Sequence, residues 1–251
     1  MRILVTNDDG IHAEGLRSLV DAVSGFGEIA VVAPDVERSA CGHGMTLRDP
    51  LRVKESSAFD CPAFEVNGLP VDCVNVALSL CFPDGCDLVL SGINVGPNLG
   101  FDITYSGTVA AAMEAAINGI KGIAISMSVF ADGAPSHLDT GAGWIRDNWP
   151  LLLDLPTGER TFWNINVPAI AASEIAGNRF VKTGDRVYED RVERRDDPWG
   201  RPYYWQGGVV VMRPDQHGTD VQAVSEGYVA ITPLTVDWTD HTVLTECEAL
   251  E

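Results

Sequence analysis

Apolar and polar positions fall in blocks over the first 34 residues. Ile3, Leu4 and Val5 form a short apolar run that Asn7-Asp8-Asp9-Gly10 closes. A run of this kind, ended by a turn, is the pattern of a strand buried on both faces of a parallel sheet. Leu16, Leu19, Val20 and Val23 recur at i, i+3, i+4 and i+7, which predicts an amphipathic helix ending near Gly25 and Gly27. Glu28–Ala33 reads as a second strand stopped by Pro34. Strand, helix and strand at this spacing make a βαβ unit with a right-handed crossover and parallel strands.

The blocks continue after a polar, glycine-rich loop over residues 35–46. Leu51–Lys54 and Ala63–Val66 are strand-like, and a helix begins at Pro70 carrying Val71, Val74 and Leu78. Asp87–Leu90 is another buried strand, followed by a long loop from Ser91 to Ser106. A helix from about Gly107 puts Val109, Ala112, Met113, Ala116 and Ile117 on one side. Lys121–Val129 and Thr161–Val167 read as strands. Between them Trp144, Ile145 and Leu152 suggest a helix near residues 140–153, which Pro150 must end or kink. The pattern is that of a doubly wound α/β core with a mostly parallel sheet over residues 1–170.

The character changes after about residue 170. A charged run from Arg191 to Arg201 precedes Tyr203, Tyr204 and Trp205, and reads as a projecting hairpin. Val209–Met212 and Tyr228–Thr232 read as strands. Residues 171–251 are therefore expected to form a β-rich C-terminal extension, with no linker separating it from the core.

Composition changes this picture in three places. The 251 residues allow one large domain or two small ones, and a folded surface of ~10,800 Å² is expected for this mass. Seventeen basic residues against 36 acidic ones leave a formal charge of −19. Such a surface repels a polyanion, which argues against a groove for a nucleic-acid polymer. It also repels a small phosphate ester, so phosphate chemistry would need a local positive source, a metal ion or a helix N-terminus. The six cysteines include no C-x-x-C pair and read as reduced residues, not as a zinc or disulfide framework. The N-terminal apolar run is too short for a signal peptide, and no stretch approaches 18 apolar residues. The expectation is a cytoplasmic protein without a membrane segment.

In open parallel sheets ligands bind beyond the carboxyl ends of the strands. The first strand delivers Asp8 and Asp9 there, the second a loop holding Glu37, Arg38 and Ser39, and a later one Ser91-Gly92-Ile93-Asn94. Two adjacent carboxylates repel each other, and one stays protonated unless a cation intervenes. A hard divalent ion prefers oxygen ligands, and Ser39 and Asn94 would complete a set of four, leaving positions for phosphate and water. A solvated Asx turn is the alternative for Asp-Asp-Gly, and a turn hydroxyl or turn amide for Ser39 and Asn94. Ser106 can cap the helix that follows, whose free N–H groups form an anion site; simple capping is the alternative. His12 and His43 lie in the first two loops, where either could act as an acid or simply be solvated. Gly92, Gly96 and Gly100 match neither the dinucleotide fingerprint nor a P-loop. Neither a serine-hydrolase elbow nor an H-E-x-x-H helix is present.

Four segments together resemble the SurE family of survival-protein nucleotidases: VTNDDGIHAEGL at 5–16, APDVERSACGHGMTL at 33–47, SGINVGPNLG at 91–100 and YSGTVAAAMEAA at 105–116. The resemblance continues in the family's order through GLPVDCVNVAL, WNINVP, RPYYW and TDVQAVSEGYVAITPL, over almost the whole chain. It implies a metal-dependent 5′-nucleotidase that hydrolyses nucleoside 5′- and 3′-monophosphates, with short-chain polyphosphate as a further substrate in some members. It places one divalent cation, Mg²⁺ or Mn²⁺, per subunit on Asp8, Asp9, Ser39 and Asn94. Phosphate binding falls on Ser106, Gly107 and Thr108, with Asn98 framing the pocket. Asp8 and Asp9 are then the candidate catalytic groups and His43 a candidate acid. The family fold is Rossmann-like, and its C-terminal extension is exchanged between subunits to give homodimers or homotetramers. The chain departs from many relatives in the Ala-Ala-Ala-Met run after Val109 and in Pro150, neither at a ligand position. Two rival readings are a haloacid-dehalogenase-type hydrolase, which would want Asp-x-Asp at the strand end, and a non-catalytic nucleotide-binding module.

Overall fold

A computed structural model describes residues 1–251 apart from 131, 132, 190, 191, 213–215, 249 and 251. The sheet is built on β1 (Arg2–Thr6), β2 (Glu28–Pro34), β3 (Val53–Glu55), β4 (Ala63–Val66), β5 (Leu88–Val95), β6 (Lys121–Ser128), β7 (Thr161–Pro168) and β8 (Gly177–Phe180). The C-terminal part adds β9 (Arg186–Glu189), β10 (Val192–Asp196), β11 (Pro202–Gln206), β12 (Val209–Met212) and β13 (Tyr228–Thr235). The helices are α1 (Glu14–Val23), α2 (Pro70–Leu80), α3 (Gly107–Ile117), α4 (Leu138–Asp147), α5 (Trp149–Asp154), α6 (Asp220–Ser225) and α7 (His241–Glu248).

Among the described residues the main sheet has nine strands in the order β3-β4-β2-β1-β5-β6-β7-β13-β8. Its centre from β4 to β7 is parallel, while β3 and β13 pair antiparallel with their inner neighbours. The chain starts in the middle at β1, steps outward to β2 and β4, then crosses back to β5 on the other side. The strand order therefore reverses between β1 and β5, where a crevice opens at the carboxyl ends.

The continuous apolar runs are explained by cover on both faces. Ile3 and Val5 of β1 pack with Leu16, Leu19 and Val23 of α1 and with Trp144, Ile145 and Trp149 of α4 and α5. Leu4, between them, points the other way and packs with Val32, Val74, Ala77 and Ala111. Alternate residues of one strand thus enter two cores. Each fully buried leucine or isoleucine contributes about 1.5–3 kcal/mol.

Three elements differ from expectation. β5 does not stop at Leu90 but pairs with β6 out to Val95, with a register shift between Ser91 and Asn94. Ser-Gly-Ile-Asn has weak strand propensity, so only neighbour pairing reveals it as strand. A 3-10 turn at Gly100–Thr104 occupies part of the segment expected as loop. The single helix near 140–153 is two helices broken at Asn148, and Pro150 sits in the first turn of the second, where its missing N–H is harmless.

The extension joins the core instead of hanging from it. β13 pairs with β7 from Ala230 to Thr235, and β8 pairs with β13. A two-part arm leaves this layer: β9 pairs with β12, and further out β10 pairs with β11. Arg191, the first residue of the charged run, lies outside the described residues. The free cysteines form no disulfide. Among the described residues no helix is long and apolar enough to cross a membrane.

Candidate functional site

The crevice at the strand reversal gathers most of the polar residues singled out above. Beyond β1 the chain turns through an Asx arrangement, in which Gly10 N–H donates to Asn7 Oδ1 at 3.2 Å and Asn7 Nδ2 donates to the Gly10 carbonyl at 3.0 Å. This turn presents Asp8 and Asp9 past the end of the strand. The loop after β2 is pinned beside it, because Arg38 N–H donates to the Asp8 carbonyl at 2.7 Å and Ile11 N–H to the Pro34 carbonyl at 2.9 Å. Further along that loop Thr46 donates to the buried Asp72 carboxylate through its N–H at 3.0 Å and its hydroxyl at 2.6 Å.

Asp8 is buried against the start of α3. The Thr108 hydroxyl donates to Asp8 Oδ1. Burial pushes the carboxyl above its ordinary value, while the Thr108 hydroxyl and the N–H groups of Thr108 and Gly107 pull it down. A side chain at Gly107 would not fit, since a Cβ there would lie 2.8 Å from Asp8 Cβ and 2.8 Å from Cys41 Sγ. Glycine is what lets the helix end approach the carboxylate. Gly107 and Thr108 therefore lie against Asp8 and are not among the residues that line the cavity described below. Ser106 caps α3, its hydroxyl accepting from Val109 N–H at 3.1 Å, and lines the cavity described below.

Asp9 is half-buried, and its carboxyl is pushed up to about 7 by burial first, then by the charges of Asp8 and Glu37. Ser39 donates its hydroxyl to Glu37 Oε1 at 2.6 Å. Asn94 donates through Nδ2 to the Gly96 carbonyl at 2.8 Å, which leaves its amide oxygen as the available donor atom for a cation. Asn98 is buried and held on three sides. Its N–H donates to Asn166 Oδ1 at 2.9 Å, its Nδ2 to Ser126 Oγ at 2.8 Å, and its carbonyl accepts from Asn164 and Asn166.

These residues share one cavity of about 730 Å³, lined by Asp8, Asp9, Ser39, Asn94, Asn98 and Ser106. His43 is not among its lining residues: its Nε2 lies 3.0 Å from Glu114 Oε2 on α3. This partner gives the ring a bridging place between the loop after β2 and α3, in contrast to the acid role considered from the sequence. His12 is exposed. The opposite wall comes from residues that sequence reasoning missed, Phe101, Asp102, Tyr105, Arg186, Tyr188 and Gln206–Gly208. Arg186 pairs with Asp102, and Tyr188 Oη donates to the same carboxylate at 2.9 Å. No motif or spacing links residue 186 to residue 102; only docking of the arm on the core brings them together.

The donors suit a hard divalent cation. Two carboxylates and two neutral oxygens line one cavity, and burial holds both aspartates above their ordinary range, with the charges of Asp8 and Glu37 adding at Asp9.

Fold and site together define a doubly wound α/β protein that collects carboxylates, amides and a helix N-terminus at its topological switch point. The chain belongs to the Survival protein SurE family, whose model matches residues 3–190. The 5′-nucleotidase SurE of Syntrophomonas wolfei is 43% identical over 242 residues, covering 96% of this chain and 91% of that protein. The 5′-nucleotidase SurE of Desulforudis audaxviator is 45% identical, covering 97% of this chain and 95% of the relative. The crystal structure of the SurE protein from Aquifex aeolicus superposes with a TM-score of 0.85 at 37% identity, covering 99% of this chain and 98% of that one.

Proposed function

We propose that the chain is a divalent-cation-dependent phosphomonoesterase acting on nucleoside 5′- and 3′-monophosphates. The observation that carries this reading is the convergence of Asp8, Asp9, Ser39 and Asn94 with the capped start of α3 around one cavity. The relatives named above are 5′-nucleotidases and align over nearly the full chain.

Asp8, Asp9, Ser39 and Asn94 would hold the ion, Mg²⁺ or Mn²⁺. A bound divalent ion supplies Lewis-acid charge at a phosphoryl oxygen and acidifies water. Thr108 and the first N–H groups of α3 pull against the burial of Asp8 and orient its carboxyl as a ligand. Ser106, on the same helix end, is placed to meet phosphoryl oxygens as negative charge develops. Asn98, locked by Asn164, Asn166 and Ser126, frames the floor. This division also answers the −19 charge, because the positive charge reaches the substrate with the ion.

The exposed aromatic arm supports the further reading that the chain works as a homodimer or homotetramer, with residues 171–251 forming one domain with the core. Asp8→Asn is expected to cut divalent-dependent phosphate release from a nucleoside monophosphate at least about 100-fold with the fold intact by circular dichroism. A folded variant with normal turnover would remove Asp8 from the mechanism. Saturable nucleotide binding without phosphate release would favour a binding module instead.

A further inference from the structure

α3 runs Gly-Thr-Val-Ala-Ala-Ala-Met-Glu-Ala-Ala-Ile, and Glu114 is its one charged residue. The side chain is buried, where a carboxylate is tolerated only with hydrogen-bond partners. Its partners come from three different segments. Asn118, just past α3, donates to Glu114 Oε1 at 3.3 Å; Asn75 comes from α2; and His43 Nε2, from the loop after β2, lies 3.0 Å from Oε2. Packing alone would be served by one more alanine here, so the buried charge marks a fastening of that loop.

The loop has a bend that requires it. Ser39 and Ala40 line the strand-end cavity, and Ala40 takes a φ of +56°, a left-handed conformation that is uphill for any residue with a Cβ. The bend therefore stands directly after Ser39. On its near side Arg38 N–H donates to the Asp8 carbonyl. On its far side Gly42 N–H donates to the Tyr105 carbonyl at 2.8 Å, and His43 meets Glu114 at the next residue. The contact of Thr46 with Asp72 comes later, beyond Gly44, and fixes the exit of the loop, not its bend.

We propose that Glu114, acting through His43, is a positioning residue that holds the bend at Ala40 closed and so sets the Ser39 hydroxyl in the cation site. The proposal rests on the phosphomonoesterase reading, which puts a divalent ion on Ser39. Neither Glu114 nor His43 lines the cavity, so the effect passes along the loop. A bend that opens part of the time lowers the apparent ion affinity in proportion to its closed fraction, and excess ion draws it closed again. Damage to packing alone is not repaired in this way.

The test compares chelated wild type with Glu114→Ala, Glu114→Gln, His43→Ala, the double change Glu114→Ala with His43→Ala, and Ala40→Gly with and without His43→Ala. Mn²⁺ binding is titrated by electron paramagnetic resonance, and kcat on AMP is measured across Mn²⁺ concentrations. Alkylation of the cysteines by iodoacetamide is followed by peptide mass spectrometry. Cys41 reports on the loop, since its Sγ packs against Gly107; Cys86, whose thiol donates to the Arg2 carbonyl at the other end of β1, is the reference. Glu114→Ala and His43→Ala are each expected to weaken Mn²⁺ binding roughly 5- to 30-fold, the penalty of a left-handed non-glycine residue read as an equilibrium constant. The double change should lose no more than either alone. At saturating Mn²⁺ kcat should return to the wild-type value, and Cys41 alkylation should accelerate while that of Cys86 does not. Glu114→Gln keeps an acceptor oxygen for the ring and should lose less than Glu114→Ala. Ala40→Gly, in which a positive φ is no longer uphill, should make the His43→Ala loss smaller. Unchanged Mn²⁺ affinity in both alanine variants, a kcat loss that saturating Mn²⁺ leaves in place, a glutamine variant as poor as the alanine one, or a His43→Ala loss that Ala40→Gly does not reduce would overturn the proposal. If Glu114→Ala does not fold, His43→Ala, a change at a partly exposed side chain, decides. If wild type binds no Mn²⁺ and releases no phosphate, the phosphomonoesterase reading fails, and the Cys41 rates still judge whether Glu114 holds the bend.

Discussion

Gly107 and Asp8 meet so closely that each defines the other. Gly107→Ala would force a methyl group against Asp8 and Cys41, both at 2.8 Å, with no flexible chain end to give way. The expected cost is about 1–3 kcal/mol, read by urea unfolding, together with weaker Mn²⁺ binding by titration. The aspartates were legible from the sequence because adjacent carboxylates at a strand end imply a cation. The partnership of Thr108 with Asp8 was not, since a hydroxyl's partner depends on where two loops meet in space. His43 shows the same limit. Its partner Glu114 is held below its ordinary value of 4.5 by the His43 hydrogen bond first, with Asn75 and Asn118 adding. A carboxyl lowered on folding contributes stability above its unfolded value, and that contribution is lost as pH falls through the folded value. The stability advantage of wild type over His43→Ala is therefore expected in full at pH 7, should begin to fall below about pH 4.5, and should vanish once pH has dropped through the lower folded value. Urea titrations at pH 7, 4 and 3 check this; an advantage that persists at pH 3 would assign it to packing.

At the scale of elements, the core strands and helices follow directly from block hydrophobicity, because strands covered on both faces have no polar alternation to confuse. β1, β2, α2 and α3 lie within a residue or two of expectation. β8 was invisible: Gly-Asn-Arg-Phe has no apolar run, and the strand exists only because β13 lies beside it. α6 was missed as well, a short helix capped by Thr219, whose hydroxyl accepts from Gln222 N–H at 3.3 Å. Its first residue, Asp220, is fully buried and accepts from the N–H groups of Gly100, Gly184 and Val221. Asp220→Ala strands these donors and is expected to cost about 2–5 kcal/mol in denaturant unfolding. The same change should lower activity by loosening the turn that follows Asn98. Full stability in this variant would show that the extension is held to the site loop by other contacts.

For the whole molecule, surface and charge tell a consistent story. The accessible surface is 13056 Å², well above the ~10,800 Å² expected for a compact monomer of this mass. The arm supplies part of the excess: Trp199, Tyr204 and Trp205 are 78%, 62% and 58% exposed. Large aromatics left uncovered on a projecting ribbon suit a second subunit. Tyr204→Ser with Trp205→Ser is expected to shift the protein from dimer or tetramer to monomer in sedimentation velocity; a wild type that already sediments as a monomer would contradict this. The sequence announced such an arm through its charged run and aromatic cluster, but not that β13 returns to the main sheet and ties the arm's base to the active cavity.

In the proposed reaction the strand-end carboxylates act through a divalent ion on a nucleoside monophosphate. The most direct measurement is phosphate release from AMP by the protein after chelation, then with Mg²⁺ or Mn²⁺ restored, beside Asp8→Asn. No release is expected after chelation, with recovery when the ion is restored and no recovery in the folded variant. Release that survives chelation, or that Asp8→Asn leaves unchanged, would contradict it.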